Sequence, residues 1–301
     1  MLKFPLKAVI PAAGTGTRLL PTTKEQPKEL LPVFSRSASG NRLVKPILQL
    51  IFEQLFDCGI REFYFIGGRN KRMIEDHFSV DFNFIDKLNR EDKSFYAEEL
   101  SIFYNKVSSS NISWINQPMP KGFGHAVSLA KSLVGNEPFL VHAGDTLILS
   151  KTRRYIHDLI KTHDYLQSLS TFLVCSVEDP RKYGVITGRD NHNGVIFVES
   201  IIEKPSQPES NLAIMPIYVF DQSIFGALEK TAPGINNEIQ LTDGIGTLLA
   251  SNKNKVTAVT MNNTDLFVDV GNPETYWHAL KVTYNETYSY QEPRNQSYSF
   301  F

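Results

Sequence analysis

Arg18 and Lys28 project from one glycine-containing stretch, IPAAGTGTRLLPTTKEQPKELLPV, that follows the apolar run KAV. Glycines such as Gly14 and Gly16 expose consecutive backbone N–H groups, and such groups form a concavity that binds anions. Two fixed positive charges beside it suit a polyphosphate. Far along the chain, Asp145 follows the apolar run FLVHA, and Asp269 closes LFV. A carboxylate at the end of a strand is well placed for Mg2+, which takes oxygen ligands and keeps several waters. Taken singly, each residue also fits a plain structural role: turn glycines, solvated cations, capping or ion-paired acids. Taken together they point to chemistry at phosphorus, where the task is to assemble anions and stabilise charge.

The two common glycine-loop patterns do not fit. A P-loop needs G-x-x-x-x-G-K-[ST], and that spacing is missing. A dinucleotide fingerprint needs a third glycine where Leu19 stands, opening directly into a helix. Pro21, Pro27 and Pro32 follow instead. Proline removes an amide donor and disfavours helix in the residue before it, so the segment must wrap as a loop.

The elements around these residues alternate. Strands are predicted at Lys7–Pro11, EFYFIGG, ISWINQ and PFLVHAGDT, with helices at Pro46–Cys58, Lys71–Phe78 and Gly124–Val134. Residues 79–111 read as an irregular insertion with one helix. Residues 35–45 read as a flexible lip. This alternation predicts an α/β fold: a Rossmann-like, mostly parallel mixed sheet flanked by helices. Ligands then bind at the carboxyl ends of the strands, so the glycine loop, NQPMPKGFGHA and AGDT should crowd one edge. After residue 165 four strand candidates come in quick succession (LSTFLVCSVED, YGVITGR, GVIFVESIIEKP, NLAIMPIYVF). Helices at about 221–230 and 238–251, strands KVTAVTM and LFVDVG, and a helix from Pro273 complete the pattern. No Pro/Gly/Ser linker separates the halves. The expected organisation is one domain over 1–285, with a first half over about 1–165, a smaller second lobe over about 166–285, and a loosely held tail over 286–301.

Bulk properties narrow the classes. Thirty-one Lys+Arg stand against 32 Asp+Glu, and the one basic cluster, Arg69-Asn70-Lys71-Arg72, is short. No nucleic-acid partner is expected. The two cysteines, Cys58 and Cys175, form neither a disulfide framework nor a metal-spaced pair. No run of about 18 apolar residues exists, so no membrane span is expected. The start MLKFPLKAV lacks the long apolar region of a signal peptide. A cytoplasmic location follows as the expectation.

The ordered motifs resemble those of the sugar-1-phosphate nucleotidyltransferases. G-x-G-[ST]-R followed by P-K-x-[LM]-[LVI]-P is matched in the glycine loop. The likeness continues through GGRNKRMIEDHF, NQPMPKGFGHAVSLAK, GDT, YGVI, IIEKP, SNLAI, GINNEIQLTDGI and VDVGNPETYWHAL, covering about 7–282. It is strongest to the bacterial and archaeal-type branch that joins UTP and glucose 1-phosphate into UDP-glucose and pyrophosphate. The resemblance implies a nucleotide-diphospho-sugar transferase fold and a Mg2+-dependent, in-line attack on the α-phosphorus. It implies that Arg18 holds the β,γ-phosphates and Lys28 bridges both substrates' phosphates. Ala13, Gly14, Gly16, Glu29, Gln117 and Gly122 would form the nucleotide pocket, and Gly184, Glu203 and Lys204 the sugar pocket. Lys204 would pair the sugar phosphate, and Asp145 and Asp269 would hold the metal. His125 and His142 are read as structural. The resemblance implies a homodimer or homotetramer.

Two rival readings are a thymidylyltransferase using dTTP and a nucleotide-sugar-binding regulatory protein without catalysis. The chain departs from the pattern in reading Gly144-Asp145-Thr146 where relatives read G-D-D, and Met215-Pro216-Ile217 where a glycine usually lies beside the sugar. Glu203 and Lys204 raise a geometric conflict, since successive strand residues face opposite ways. Pro205, next in sequence, suggests a strand end that resolves it. No hexapeptide repeat stands after residue 282 in this sequence, so the bifunctional acetyltransferase relatives are not the expected match.

Overall fold

The computed structural model describes residues 7–69, 71–191 and 194–288. Strand β1 (Lys7–Pro11) runs into the glycine loop, which holds only three short 3-10 turns, at Thr17–Leu19, Thr22–Lys24 and Lys28–Leu30. The prolines thus exclude a long helix, as expected. The predicted lip is instead a hairpin of β2 (Pro32–Arg36) and β3 (Arg42–Pro46), antiparallel from Pro32↔Pro46 to Arg36↔Arg42. Side chains that no local pattern reveals tie it down. Lys45 bonds both carboxylate oxygens of Glu53 at 3.1 Å, and the Phe34 ring meets Tyr284 edge-on at 5.1 Å.

Next come α1 (Ile47–Asp57), β4 (Glu62–Gly67), α2 (Arg72–His77), α3 (Phe82–Arg90), α4 (Ser94–Ser108) and β5 (Asn111–Asn116). The insertion therefore carries two helices. Asp81 starts the first by accepting the Phe84 N–H at 3.0 Å, an N-cap contact. The predicted Gly124–Val134 helix is broken into α5 (Phe123–Ser128) and α6 (Lys131–Val134). PFLVHAGDT likewise splits into β6 (Phe139–His142) and β7 (Thr146–Leu149), and α7 (Arg154–Leu166) follows.

The second half supplies β8 (Ser170–Ser176), β9 (Gly184–Asp190), β10 (Val195–Glu203), β11 (Leu212–Phe220), α8 (Ser223–Glu229), α9 (Leu241–Ser251), β12 (Val256–Thr260), β13 (Leu266–Asp269) and α10 (Pro273–Tyr288). Helix α10 continues to Tyr288, past the expected start of a loose tail at 286. Residues 289–301 lie outside the described residues.

Nine strands form one sheet in the order β5-β4-β1-β6-β11-β8-β12-β10-β9. β5, β4, β1 and β6 run parallel to one another, as do β8 and β12. β11 runs antiparallel to β6 and β8, and β10 antiparallel to β12 and β9. The central β11 contains Pro216, where a ladder N–H is lost. The strand's register on β8 shifts between Ile214 and Tyr218, and the Pro216 carbonyl accepts the Ala143 N–H at 3.0 Å. Proline inside a sheet is accommodated at such irregularities.

Alternation sets two cores, one on each face. Ala8, Ile10, Phe63, Phe65, Leu140 and Leu173 pack with α1, α3, α4 and α7. Val9, Tyr64, Ile66, Phe139, Val141 and Phe172 pack with α5, α8 and α9. Both faces are covered, which is why these strands read as continuous apolar runs. No described helix is long and apolar enough to cross a membrane.

Phe52 of α1 is fully buried, with ring centroids 4.7 Å from Phe63 and 5.2 Å from Phe78. Phe52→Ala should lower unfolding free energy by about 3–5 kcal/mol, read from a shifted midpoint in urea at unchanged slope.

Candidate active site

Because β1, β4, β5 and β6 are parallel, their carboxyl ends open on one edge of the sheet. Backbone bonds lock the loops there to one another. Gly144 N–H donates to Pro11 O at 3.1 Å, Ala12 N–H to Ile66 O at 2.8 Å, and Gln117 N–H to Gly67 O at 2.7 Å. The glycine loop, the GDT turn and the QPMPKGFG turn thus share one mouth, as the strand pattern predicts.

Charge is concentrated at this mouth. Lys28 Nζ forms an ion pair with the Asp145 carboxylate. Burial works against the Lys28 charge, but Asp145 and Glu29 beside it more than offset that, so its pKa stands above the usual lysine value. Burial also works against the Asp145 carboxylate, and the Lys28 charge and hydrogen bond outweigh it, so its pKa lies below the usual range. Asp269 arrives from β13, whose antiparallel ladder with β7 sets Asp269 opposite Thr146. Val270 N–H donates to Asp145 O at 3.1 Å, so the two acids occupy neighbouring rungs. Asp269 Oδ1 accepts the Gly271 N–H at 2.8 Å. A Cβ on Gly271 would lie 2.7 Å from Asp269 Oδ1 and 3.2 Å from Arg18 Nη2. Only glycine leaves that space to the carboxylate and the guanidinium. Among the described residues, no three His, Cys, Asp or Glu side chains cluster as a metal cage. Two carboxylates remain, a set that fits a hard divalent cation taking its other oxygens from water and phosphate.

A cavity of about 180 Å³ opens beside the pair, lined by Ala13, Gly14, Lys28, Gln117, Pro118, Arg69 and Lys71 among others. Of the expected nucleotide residues, Ala13, Gly14 and Gln117 reach it. Glu29 does not line it. Its side chain is 1% exposed and paired at 2.6 Å with Lys71, which lines the cavity in its place. Burial pushes the Glu29 pKa up against the pull of Lys71 and Lys28. Gly16, at φ +66°, begins the first 3-10 turn, and its carbonyl accepts from Thr23 Oγ1 at 2.7 Å. Gly122 has φ +102°, and a Cβ there would stand 2.8 Å from both Glu238 Cβ and Ile239 O. Both conformation and packing demand glycine at 122.

The second-half residues gather at the neighbouring strand ends. Glu203 is the last residue of β10. Lys204 turns left-handed at φ +43°, which brings its Nζ to 3.1 Å from Glu203 Oε1. This reversal resolves the conflict of successive strand residues. Thr242 Oγ1 donates to Glu203 Oε2 at 2.7 Å, and Gly184 leaves space beside both groups. Lys204 N–H bonds Tyr183 O at 3.0 Å, and the Tyr183 ring meets Phe267, two residues before Asp269, at 6.5 Å. The cluster is therefore adjacent to the acid-bearing ladder.

Four residues with no role, or a purely structural one, in the sequence reading take part: Lys71, His125, Thr242 and Gly271. Each lies inside a motif quoted above. Each acts by satisfying or admitting another residue, and no residue-type pattern marks that.

The nucleotidyl transferase family model matches residues 7–286. The chain belongs to that family. It is 40% identical over 255 residues to UTP–glucose-1-phosphate uridylyltransferase 1 of Streptococcus pyogenes serotype M1, covering 80% of this chain and 78% of that one. It is 40% identical over 249 residues to a UTP–glucose-1-phosphate uridylyltransferase of Bacillus subtilis, covering 81% and 79%. Among solved structures it is similar to a UDP-glucose pyrophosphorylase complexed with UDP-glucose, at TM-score 0.80 and 32% identity over 94% of this chain and all of that one. It is also similar to a UTP-bound enzyme of Acinetobacter baumannii, at TM-score 0.80 and 28% identity over 95% of each chain. The α/β fold of this nucleotidyl transferase is therefore that of the UDP-glucose pyrophosphorylases.

Lys71→Met would leave Glu29 buried without its partner, at a cost of about 3–5 kcal/mol in unfolding free energy at pH 7.5. A buried acid whose folded pKa is raised binds its proton more tightly folded than unfolded. Stability then falls as pH rises from the ordinary glutamate value through the folded one. The variant's deficit should therefore shrink as pH is lowered towards 4.5, the ordinary value for glutamate. Denaturant titrations at both pH values check this, and an equal deficit at both would contradict it.

Proposed function

We propose that this nucleotidyl transferase condenses UTP with glucose 1-phosphate to UDP-glucose and pyrophosphate. The observation that carries the reading is the ion pair of Lys28 with Asp145 at the cavity edge, with Asp269 on the adjoining ladder and Arg18 across the space that Gly271 leaves. The names of the similar proteins supply the substrates.

The sugar phosphate is already an anion, so its attack on the α-phosphorus needs little proton transfer. What it needs is positioning and compensation of charge. Arg18 binds the leaving β,γ-phosphates, and its fork of donors suits two oxygens at once. Lys28, kept charged in its resting pair, exchanges Asp145 for phosphate oxygens of both substrates. Asp145, with Asp269, would hold a divalent cation, which we assign as Mg2+. That cation supplies Lewis-acid stabilisation of charge at the phosphates when bound. Backbone at Ala13 and Gly14 borders the nucleotide, and Gln117 meets the base. Glu203, fixed by Thr242, accepts sugar hydroxyls, Gly184 lets the ring approach, and Lys204 pairs with the sugar phosphate.

Pyrophosphate release should be fastest with UTP and glucose 1-phosphate when UTP and dTTP are each tried against glucose 1-phosphate and N-acetylglucosamine 1-phosphate. Preference for dTTP would make this a thymidylyltransferase. Asp145→Asn should lower kcat by about 10³-fold or more. No release with any pair would leave a binding protein without catalysis.

A further inference from the structure

Gln117 is 3% exposed, and its primary amide could present either a donor or an acceptor to a base. Its surroundings settle which. Nε2 lies 3.4 Å from the Gly122 carbonyl and 2.7 Å from His125 Nδ1. A carbonyl oxygen only accepts, so the amide nitrogen is the group that faces Gly122. That nitrogen's other hydrogen then points to His125 Nδ1, which accepts as a lone pair, and the ring carries its proton on Nε2. Burial first, and the charge of Lys121 second, hold the His125 pKa below the ordinary value, which favours the neutral ring that the contact with Gln117 requires. The turn is fixed from the other side as well. Ile239 N–H donates to Lys121 O at 2.8 Å, and Gly124 N–H to Ile239 O at 2.9 Å. Both amide hydrogens are thus engaged within the protein, and no described residue bonds Oε1. Gln117 lines the cavity.

We infer that His125 is a positioning residue for nucleotide selection: by accepting from Gln117 Nε2 it holds the amide with Oε1 as its one free group, an acceptor for a base that carries a ring N–H. Uracil offers such a group in its imide. Cytosine carries a bare ring nitrogen there, and two lone pairs would face each other. This rests on reading the cavity as the nucleotide site. The selection belongs to the pair and not to Gln117 alone, because a freely turning amide serves either base.

The test is calorimetric binding of UTP and CTP with Mg2+ to the full-length protein, alongside kcat and KM with glucose 1-phosphate. Wild type should prefer UTP by about 100-fold or more, since a site built to pair with a base N–H rejects an analogue lacking it. His125→Leu and His125→Phe, which offer no acceptor, should cut that preference by about tenfold and raise the UTP KM with kcat little changed. His125→Asn places Oδ1 where Nδ1 stood and should restore the preference. Gln117→Ala should abolish it. If Gln117→Ala loses the preference while Leu and Phe at 125 keep it, the positioning role fails and the base site stands. The role also fails if Asn behaves like Leu. If Gln117→Ala keeps the preference, the cavity is not where the base is read, and both readings fall.

Discussion

A lysine and an aspartate drawn from positions 117 apart in the chain meet at the edge of the sheet, and the rest of the site is arranged around that contact. Neither group could leave water alone without a cost of several kcal/mol. Their pairing therefore couples closure of the glycine loop to the end of β6, and the Pro11–Gly144 backbone bond repeats the coupling one layer deeper. The neighbours follow the same logic. Glu29 is buried because Lys71 reaches it, and Asp269 faces Arg18 across the space that Gly271 leaves. Lys28 with Asp145 and Lys71 with Glu29 balance as pairs.

This balance needs a loop that is folded yet not helical. A helix after β1 would point its amides along one axis and carry Arg18 and Lys28 to separate turns. The prolines forbid it, and three 3-10 turns wrap the chain back so that Lys28 Nζ lies 3.2 Å from the position of a Cβ on Gly14. The acids come from a different device. Asp145 stands between β6 in the main sheet and β7 in a separate two-stranded ladder, where the chain leaves one sheet for the other. A switch of sheets at the acid brings in β13, and with it Asp269.

Features fixed by local chemistry were legible in the sequence. The strands β1, β4, β5 and β6, the helices α1 and α2 between them, the non-helical glycine loop and the shared edge of the parallel strands follow from apolar periodicity and proline placement. Features fixed by long-range contact were not. The β2–β3 hairpin looks like a polar lip because what holds it, Glu53 on α1 and Tyr284 on α10, lies elsewhere in the chain. The divided PFLVHAGDT strand carries no breaker stronger than Gly144, and its second part pairs with a strand that comes over a hundred residues later. Helix α7 is a different case: Tyr155, Ile156, Leu159 and Ile160 stand at helical spacing, a local signal that the expectations above do not include.

The residues missed at the site share one cause. A motif marks the side chain that meets the substrate, whereas a buried polar group must also be satisfied from behind. Glu29 finds Lys71 at a separation of 42, Glu203 finds Thr242 at 39, and Gln117 finds His125 at 8. Each supporting partner turns a group that could adopt several orientations into one with a single orientation. Catalysis by preorganised charge depends on that restriction, since donors and acceptors that must turn during the reaction lose much of their advantage over water. A sequence motif containing one polar residue destined for burial should therefore be read as a demand for a second. The place to look is among residues of complementary hydrogen-bonding type in the other motifs that the same sheet edge brings together.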